Sequence, residues 1–118
     1  MTDIRPYLNR PDILKEMAQQ VIKDLAMNGM EIKFSGNPQN AYAELFSQIL
    51  PCIEKLQKEN FQNFYSLMYR IDISEEQIKK EVEGTKDKTF AEIVTDLILK
   101  RELLKVVTRK HYSDGKEM

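Results

Sequence analysis

The stretch from Thr89 to Ser113 constrains the fold more than any other part of the chain, because it is the longest uninterrupted helical pattern and contains no glycine or proline. Thr89 and Glu92 have the spacing of a capping box, in which each side chain satisfies a backbone N–H at the start of a helix. A helix from Phe90 to about His111 would be roughly 33 Å long. The 118 residues of the chain indicate one domain, so this helix would run along most of it.

Two apolar stripes follow this helix on opposite sides. The broad stripe is the expected core face of an amphipathic helix and comprises Phe90, Ile93, Val94, Leu97, Ile98, Leu104 and Val107. The narrow stripe has i, i+4, i+7 spacing and comprises Leu99, Leu103 and Val106. The helix is therefore either the central helix of the domain or one that buries its narrow stripe against another chain. The second option makes these three residues a candidate interface with a second copy or another protein.

Basic residues collect in the second half of the same helix. The helix dipole favours cations near a C-terminus, which accounts for Arg109 and Lys110. Lys105, Arg109 and Lys110 are also candidate contacts for an anion such as a nucleic-acid phosphate. The formal net charge of −1 gives no global attraction to nucleic acid. We therefore favour a flank, formed by Arg101, Lys105 and Arg109, that is solvated or paired with carboxylates, with the acidic segment 72–83 as a candidate partner.

Elsewhere the pattern predicts three further main helices. The first runs from about Asp12 to Asn28, with Pro11 suited to its first turn. The second begins after Asn37 as N-cap and continues to about Glu59. Pro51 lies inside the second helix, away from its apolar face, so we expect a kink and not a break.

The third helix begins at Asn60 and is the most aromatic part of the chain. Its expected buried residues are Phe61, Phe64, Tyr65, Met68 and Ile71. A short fourth helix starts at Glu75, because Ser74 and Gln77 form a second capping box and Ile73 and Ile78 a hydrophobic staple. The prediction is an all-α bundle of four main helices and one short helix, with residues 1–11 and 114–118 loosely ordered.

The segment Met30–Phe34 has a different pattern. Met30, Ile32 and Phe34 alternate with charged residues, and a period of two indicates extended backbone. Since no second run of this kind exists to pair with, we expect a crossover that places alternate side chains in the bundle. The alternative is a strand that pairs with the same segment of a second copy.

Residue types that carry chemistry are scarce in this chain. Cys52 is the only cysteine and His111 the only histidine, and neither has neighbours at metal-ligand spacing. The glycines are isolated, so no phosphate-binding loop is present. We expect no catalytic residue, cofactor or metal site. No apolar stretch is long enough to span a membrane and no secretory signal is visible, so we expect a cytoplasmic protein.

The sequence LMYRIDISEEQI, followed by the last helix, resembles small uncharacterised bacterial all-helical proteins that carry a Tyr-Arg-Ile-Asp segment. The matching residues are Tyr69, Arg70, Ile71, Asp72, Ser74 and Arg101. The resemblance implies an all-α fold and a bacterial, cytoplasmic setting, and it implies no activity. It also suggests that Arg70, Asp72 and Arg101 form one polar network.

Three functions are compatible with these features. The leading hypothesis is a non-enzymatic helical module that self-associates, as a homodimer for example, or docks a protein partner. The first alternative is a nucleic-acid-associated accessory protein that uses the basic flank. The second is a helical bundle that binds a small ligand or acts as an enzyme, with Tyr65 or Tyr69, Arg70 and Asp72 around a pocket.

Overall fold

Five α-helices and two short 3-10 turns form a bundle of 47 × 30 × 26 Å in the computed structural model, which describes residues 5–7 and 9–115 and the side chains of 6, 7 and 9–111. The helices are α1 (Pro11–Ala26), α2 (Ala41–Glu59), α3 (Phe61–Ile71), α4 (Glu75–Gly84) and α5 (Phe90–Gly115). The turns span Arg5–Tyr7 and Pro38–Asn40. The described residues contain no β-strand, so the predicted all-α fold is confirmed.

α5 is the central helix of the domain and packs against all four other helices. Its narrow apolar stripe is buried inside the single chain, since Leu99, Leu103 and Val106 are 0%, 1% and 0% exposed. These three side chains are therefore not available at the surface, which corrects the expectation that they form an interface with another chain. The physical reason is that α5 is covered on both sides, by α1 and α2 among others.

The two helix starts predicted from capping boxes are those of the structure. The Thr89 backbone N–H donates to Glu92 Oε1 at 2.8 Å, and the Glu92 N–H donates to Thr89 Oγ1 at 3.1 Å. The capping box of Ser74 and Gln77 is likewise complete. Both residues of the predicted staple, Ile73 and Ile78, are buried. Satisfied backbone donors thus mark the start of α4 and of α5.

The chain ends differ from the prediction. α5 continues to Gly115, beyond His111, so part of the expected loose tail is helical, and residues 116–118 lie outside the described residues. At the other end, Tyr7 lies in a 3-10 turn and packs against the core. Residues 1–4 and 8 of the expected loose leader lie outside the described residues.

α2 is continuous through Pro51, as predicted. Its start is three residues later than expected, because Asn37 caps the 3-10 turn that precedes it, accepting a hydrogen bond from the Gln39 N–H at 3.1 Å. Cys52 lies at the edge of the core and is half-buried. Burial raises the pKa of the Cys52 thiol, so the thiol is less reactive than an exposed one.

The segment between α1 and α2 is an extended crossover, which confirms the prediction. Met30 and Ile32 are buried, Phe34 is half-buried, and the two charged residues between them are exposed. The Lys33 N–H donates to Gln48 Oε1 at 2.9 Å, and Gln48 Nε2 donates to the Lys33 carbonyl at 2.7 Å. One glutamine of α2 thus replaces the neighbouring strand that an extended segment normally needs.

Candidate functional site

The largest departure from the predicted core concerns the aromatic residues of α3. Phe61 and Tyr65 were expected to be buried, and that prediction was wrong, since they are 54% and 49% exposed. The side of α3 that faces the bundle comprises Phe64, Leu67, Met68 and Ile71. Phe61 and Tyr65 lie beside that face, where α4 only partly covers them.

These two side chains form one wall of an apolar groove between α3 and α4, which we call the α3–α4 groove. Its floor consists of Phe64, Ile78 and Phe90, which are buried or half-buried. The opposite wall is formed by α4 through Glu75, Lys79 and Val82. The groove has a volume of about 440 Å³ and is open to solvent along exposed Phe61, Tyr65 and Val82.

The aromatic rings of the groove hold one another in place. Phe64 lies edge-on to Phe61 and Tyr65, with ring centroids 6.3 and 5.7 Å apart. It also packs against Phe90 of α5 at 5.9 Å. These are favourable geometries for aromatic pairs. A wall anchored in this way needs little ordering when a ligand binds, which favours affinity.

The apolar surface extends beyond the groove along α3. Tyr69 follows Tyr65 by four residues and is 89% exposed. Phe61, Tyr65 and Tyr69 therefore form an exposed aromatic stripe with i, i+4, i+8 spacing. From the typical area of an aromatic side chain, the stripe exposes roughly 400 Å². Exposed apolar patches of this size are often functional on monomeric proteins.

The structure brings together two of the three residues of the expected polar network. Arg101 Nη2 lies 2.8 Å from Asp72 Oδ2, and Arg101 Nε donates to the Ile71 carbonyl at 3.4 Å. Arg70 instead donates from Nε to Asn28 Oδ1 at 3.1 Å. Arg101 thereby ties Asp72, the left-handed C-cap residue that follows α3, to α5.

The predicted anion-contact residues face α1. Lys105 Nζ lies 3.5 Å from Asp24 Oδ2, and Lys110 Nζ lies 3.2 Å from Asp12 Oδ2. Arg109 Nη1 donates to a third polar residue of α1, Gln20, at 3.2 Å. The partner of these three cations is thus α1 and not the acidic segment 72–83. An incoming phosphate would have to compete with these contacts.

A buried carboxyl group, which was not predicted from the sequence, lies between α1 and α5. Glu102 is 0% exposed and Asp24 is also buried. Lys105 Nζ lies 3.0 Å from Glu102 Oε1, yet neither carboxyl oxygen accepts a hydrogen bond of good geometry. Burial, with the neighbouring Asp24 carboxylate, raises the pKa of Glu102 to about 8.

The two carboxyl groups form an acid pair with opposite shifts. Burial acts to raise the pKa of Asp24, but hydrogen bonds from Glu102 and Gln20 and the charge of Lys105 outweigh it, so that this pKa is lowered. Glu102 is therefore the protonated member of the pair at neutral pH. Protonation also removes the cost of burying an ionised carboxylate whose oxygens accept no hydrogen bond of good geometry.

One sequence signal could have revealed Glu102. It lies four residues after Ile98 and four before Val106, on the strip of α5 between its two apolar stripes. When both sides of a helix are covered, polar residues between them are covered too. The basic residues around Glu102 instead suggested a solvated flank.

The pocket suggested for a small ligand does not form. Tyr65 lines the α3–α4 groove, whereas Arg70 contacts Asn28 and Asp72 contacts Arg101. A separate cleft of about 500 Å³ lies where the end of α1 meets α2 and α3.

The asparagine side chains that line this cleft hold the fold together. Asn28 Nδ2 donates to Asn63 Oδ1 at 2.8 Å, and Asn60 caps α3 by accepting a hydrogen bond from the Asn63 N–H at 3.1 Å. These side-chain atoms therefore already have partners within the chain. The α3–α4 groove is the better candidate for a binding site.

Two other features, a cluster of metal ligands and a membrane-spanning helix, are absent from the described residues. Among those described, no group of three or more His, Cys, Asp or Glu side chains is placed to hold a metal ion. In the part of the chain that the structure describes, no helix is both long and apolar enough to cross a membrane.

No protein-family model matches the chain, and comparison with curated proteins and with solved structures finds no match either.

Proposed function

We propose that this protein is a docking module that binds a helical, apolar segment of a protein partner in the α3–α4 groove. The observation that carries the proposal is the half-exposed aromatic wall of Phe61 and Tyr65 above an apolar floor. Aromatic side chains that are preordered and partly exposed are typical of the anchor points of protein interfaces.

The size of the surface favours a short segment over a second copy of the chain. A stable dimer of folded domains typically buries about 800 Å² on each partner, about twice the area of the aromatic stripe. A helix laid in a groove needs only apolar residues at i, i+3 or i+4, and i+7. The stripe from Phe61 to Tyr69 is about 12 Å long, which matches about two turns of such a helix.

Site-specific cross-linking tests the proposal. Phe61 is replaced by the photoreactive residue p-benzoylphenylalanine, and the matched control carries it in place of Lys15, which is exposed on α1. We expect irradiation in native lysate to link position 61, but not position 15, to one partner peptide with helical apolar spacing. A synthetic copy of that peptide should bind the unmodified protein, with affinity lost in Tyr65→Ser.

Two results would contradict the proposal. Equal cross-linking from positions 61 and 15 would indicate a non-specific surface. Cross-linking from position 61 to a second copy of the chain, with a dimer seen by sedimentation, would show that the groove serves self-association.

A further inference from the structure

The charges beside the α3–α4 groove indicate which kind of segment binds there, provided that the groove is the docking site proposed above. α4 carries four glutamates against two lysines, and all six are exposed. They are Glu75, Glu76, Glu81 and Glu83 and Lys79 and Lys80. Within the described residues none of the four glutamates makes an ion pair. α4 therefore offers carboxylates whose charge is not already balanced by a contact.

The position of these charges around the helix is uneven. Val82 and Glu75 line the groove together with Lys79. At about 100° per residue, Glu83 and Glu76 follow next on the same side of α4. The groove side of α4 thus carries three carboxylates and one ammonium group.

The other walls do not neutralise this excess. The only charged residue of α3 is Arg70, which points to Asn28 and away from the groove. In the loop before α5, the charges of Lys86 and Asp87 cancel. Lys88 leaves this loop one net positive charge, which is smaller than the net charge of −2 that three carboxylates and one ammonium group give the groove side of α4. The outer rim of the groove is therefore negative.

We infer that the segment docked in the α3–α4 groove is a basic amphipathic helix, with its apolar side on Phe61 and Tyr65 and lysines or arginines along Glu75, Glu83 and Glu76. An acidic helix would place like charges along the same rim. Such rim charges act mainly on specificity and on the rate of association. Exposed ion pairs are individually weak, so the charge preference is a modest factor added to the apolar contact.

Three stapled helical peptides test the inference. They share apolar residues at i, i+4 and i+7 and carry only lysine, only glutamine or only glutamate at the flanking positions. Binding to the full chain is measured by fluorescence anisotropy at low and at high salt. We expect affinity in the order lysine, glutamine, glutamate, with about tenfold between the extremes at low salt and a smaller ratio at high salt.

Matched variants locate the effect. Glu76→Gln combined with Glu83→Gln should remove most of the advantage of the lysine peptide. The control, Glu54→Gln combined with Glu59→Gln, changes two exposed glutamates of α2 and should leave the ratio unchanged. A lysine advantage that survives the α4 double variant would overturn the inference, because the charge would then act elsewhere.

The remaining outcomes separate the two proposals. If all three peptides bind equally and Tyr65→Ser abolishes their binding, the groove is a docking site and the charge inference is wrong. If no peptide shows binding that depends on Tyr65, the docking site itself is wrong, and the charge inference falls with it.

Discussion

Glu102 should make this protein less stable as the pH rises from about 5 to above 8. The folded-state pKa of Glu102 is about 8, against an ordinary value of 4.5. Between these values the folded chain binds one proton that the unfolded chain has lost. The free energy of unfolding therefore decreases with pH in this window, by up to about 1.4 kcal/mol per pH unit. The contribution of Glu102 is fully present below pH 4.5 and is lost as the pH passes about 8.

Glu102→Gln isolates this effect, because the amide keeps the size and the hydrogen-bond donor of the protonated acid. At pH 5 the two proteins should have similar stability. Above pH 8 the variant should be more stable, by on the order of 2 to 4 kcal/mol. The difference is nearer about 2 kcal/mol if Lys105, whose Nζ lies 3.0 Å from Glu102 Oε1, partly neutralises the ionised Glu102 of the unmodified protein. Natural domains have only about 5–15 kcal/mol of stability, so the difference is readily measured.

The neighbouring Asp24 acts in the opposite sense and at lower pH. Its folded-state pKa is lowered from the ordinary value of 3.8. Its contribution is therefore present above that value and is lost as the pH falls through the lowered pKa. We expect maximal stability in mildly acidic solution, between the two transitions.

Urea unfolding followed by far-ultraviolet circular dichroism, from pH 5 to pH 9, measures these stabilities. The matched control is Glu81→Gln, a change at an exposed glutamate of α4, which should follow the unmodified protein at every pH. The reasoning is refuted if Glu102→Gln loses stability with pH as steeply as the unmodified protein. It is also refuted if the unmodified protein is as stable at pH 9 as at pH 6.

Three further predictions use the same unfolding assay at constant pH. Leu103→Ala should lower the free energy of unfolding by about 2–5 kcal/mol, because it leaves a cavity between α5 and the helices packed against it. A loss below about 1 kcal/mol would contradict the burial of Leu103. Gln48→Ala should cost about 1–3 kcal/mol, since both backbone groups of Lys33 lose their partner, and Gln57→Ala on the same helix serves as the control. Ser74→Ala should cost about 1 kcal/mol through the lost cap of α4, and Ser74→Asp, which can cap as well, should restore stability.

Much of the fold was readable from the sequence because its signals are local. A capping box places a helix start through two hydrogen bonds within four residues, and those of α4 and α5 lie where the spacing put them. The alternation in Met30–Phe34 likewise predicted an extended crossover. What the alternation could not provide was the partner of its backbone, because Gln48 lies fifteen residues away from Lys33.

The candidate site was less predictable. The aromatic spacing of α3 was visible, but Phe61 and Tyr65 are exposed because α4 leaves a groove beside them. A periodic pattern states which residues share a side of a helix and not whether another helix covers that side. The basic flank of α5 shows the same limit. Arg101 does pair with Asp72 of the acidic segment, but Lys105 and Lys110 face carboxylates of α1.

Residues close together along the chain specify the helices, the starts of α4 and α5 and the two apolar sides of α5, so these features could be predicted without the structure. What covers the second side of α5 depends on how the helices pack in three dimensions. That packing placed α1 and α2 there, so that Leu103 became core and Glu102 an enclosed acid. The physical reason is that burial depends on how separate helices pack, through contacts between residues tens of positions apart in the sequence.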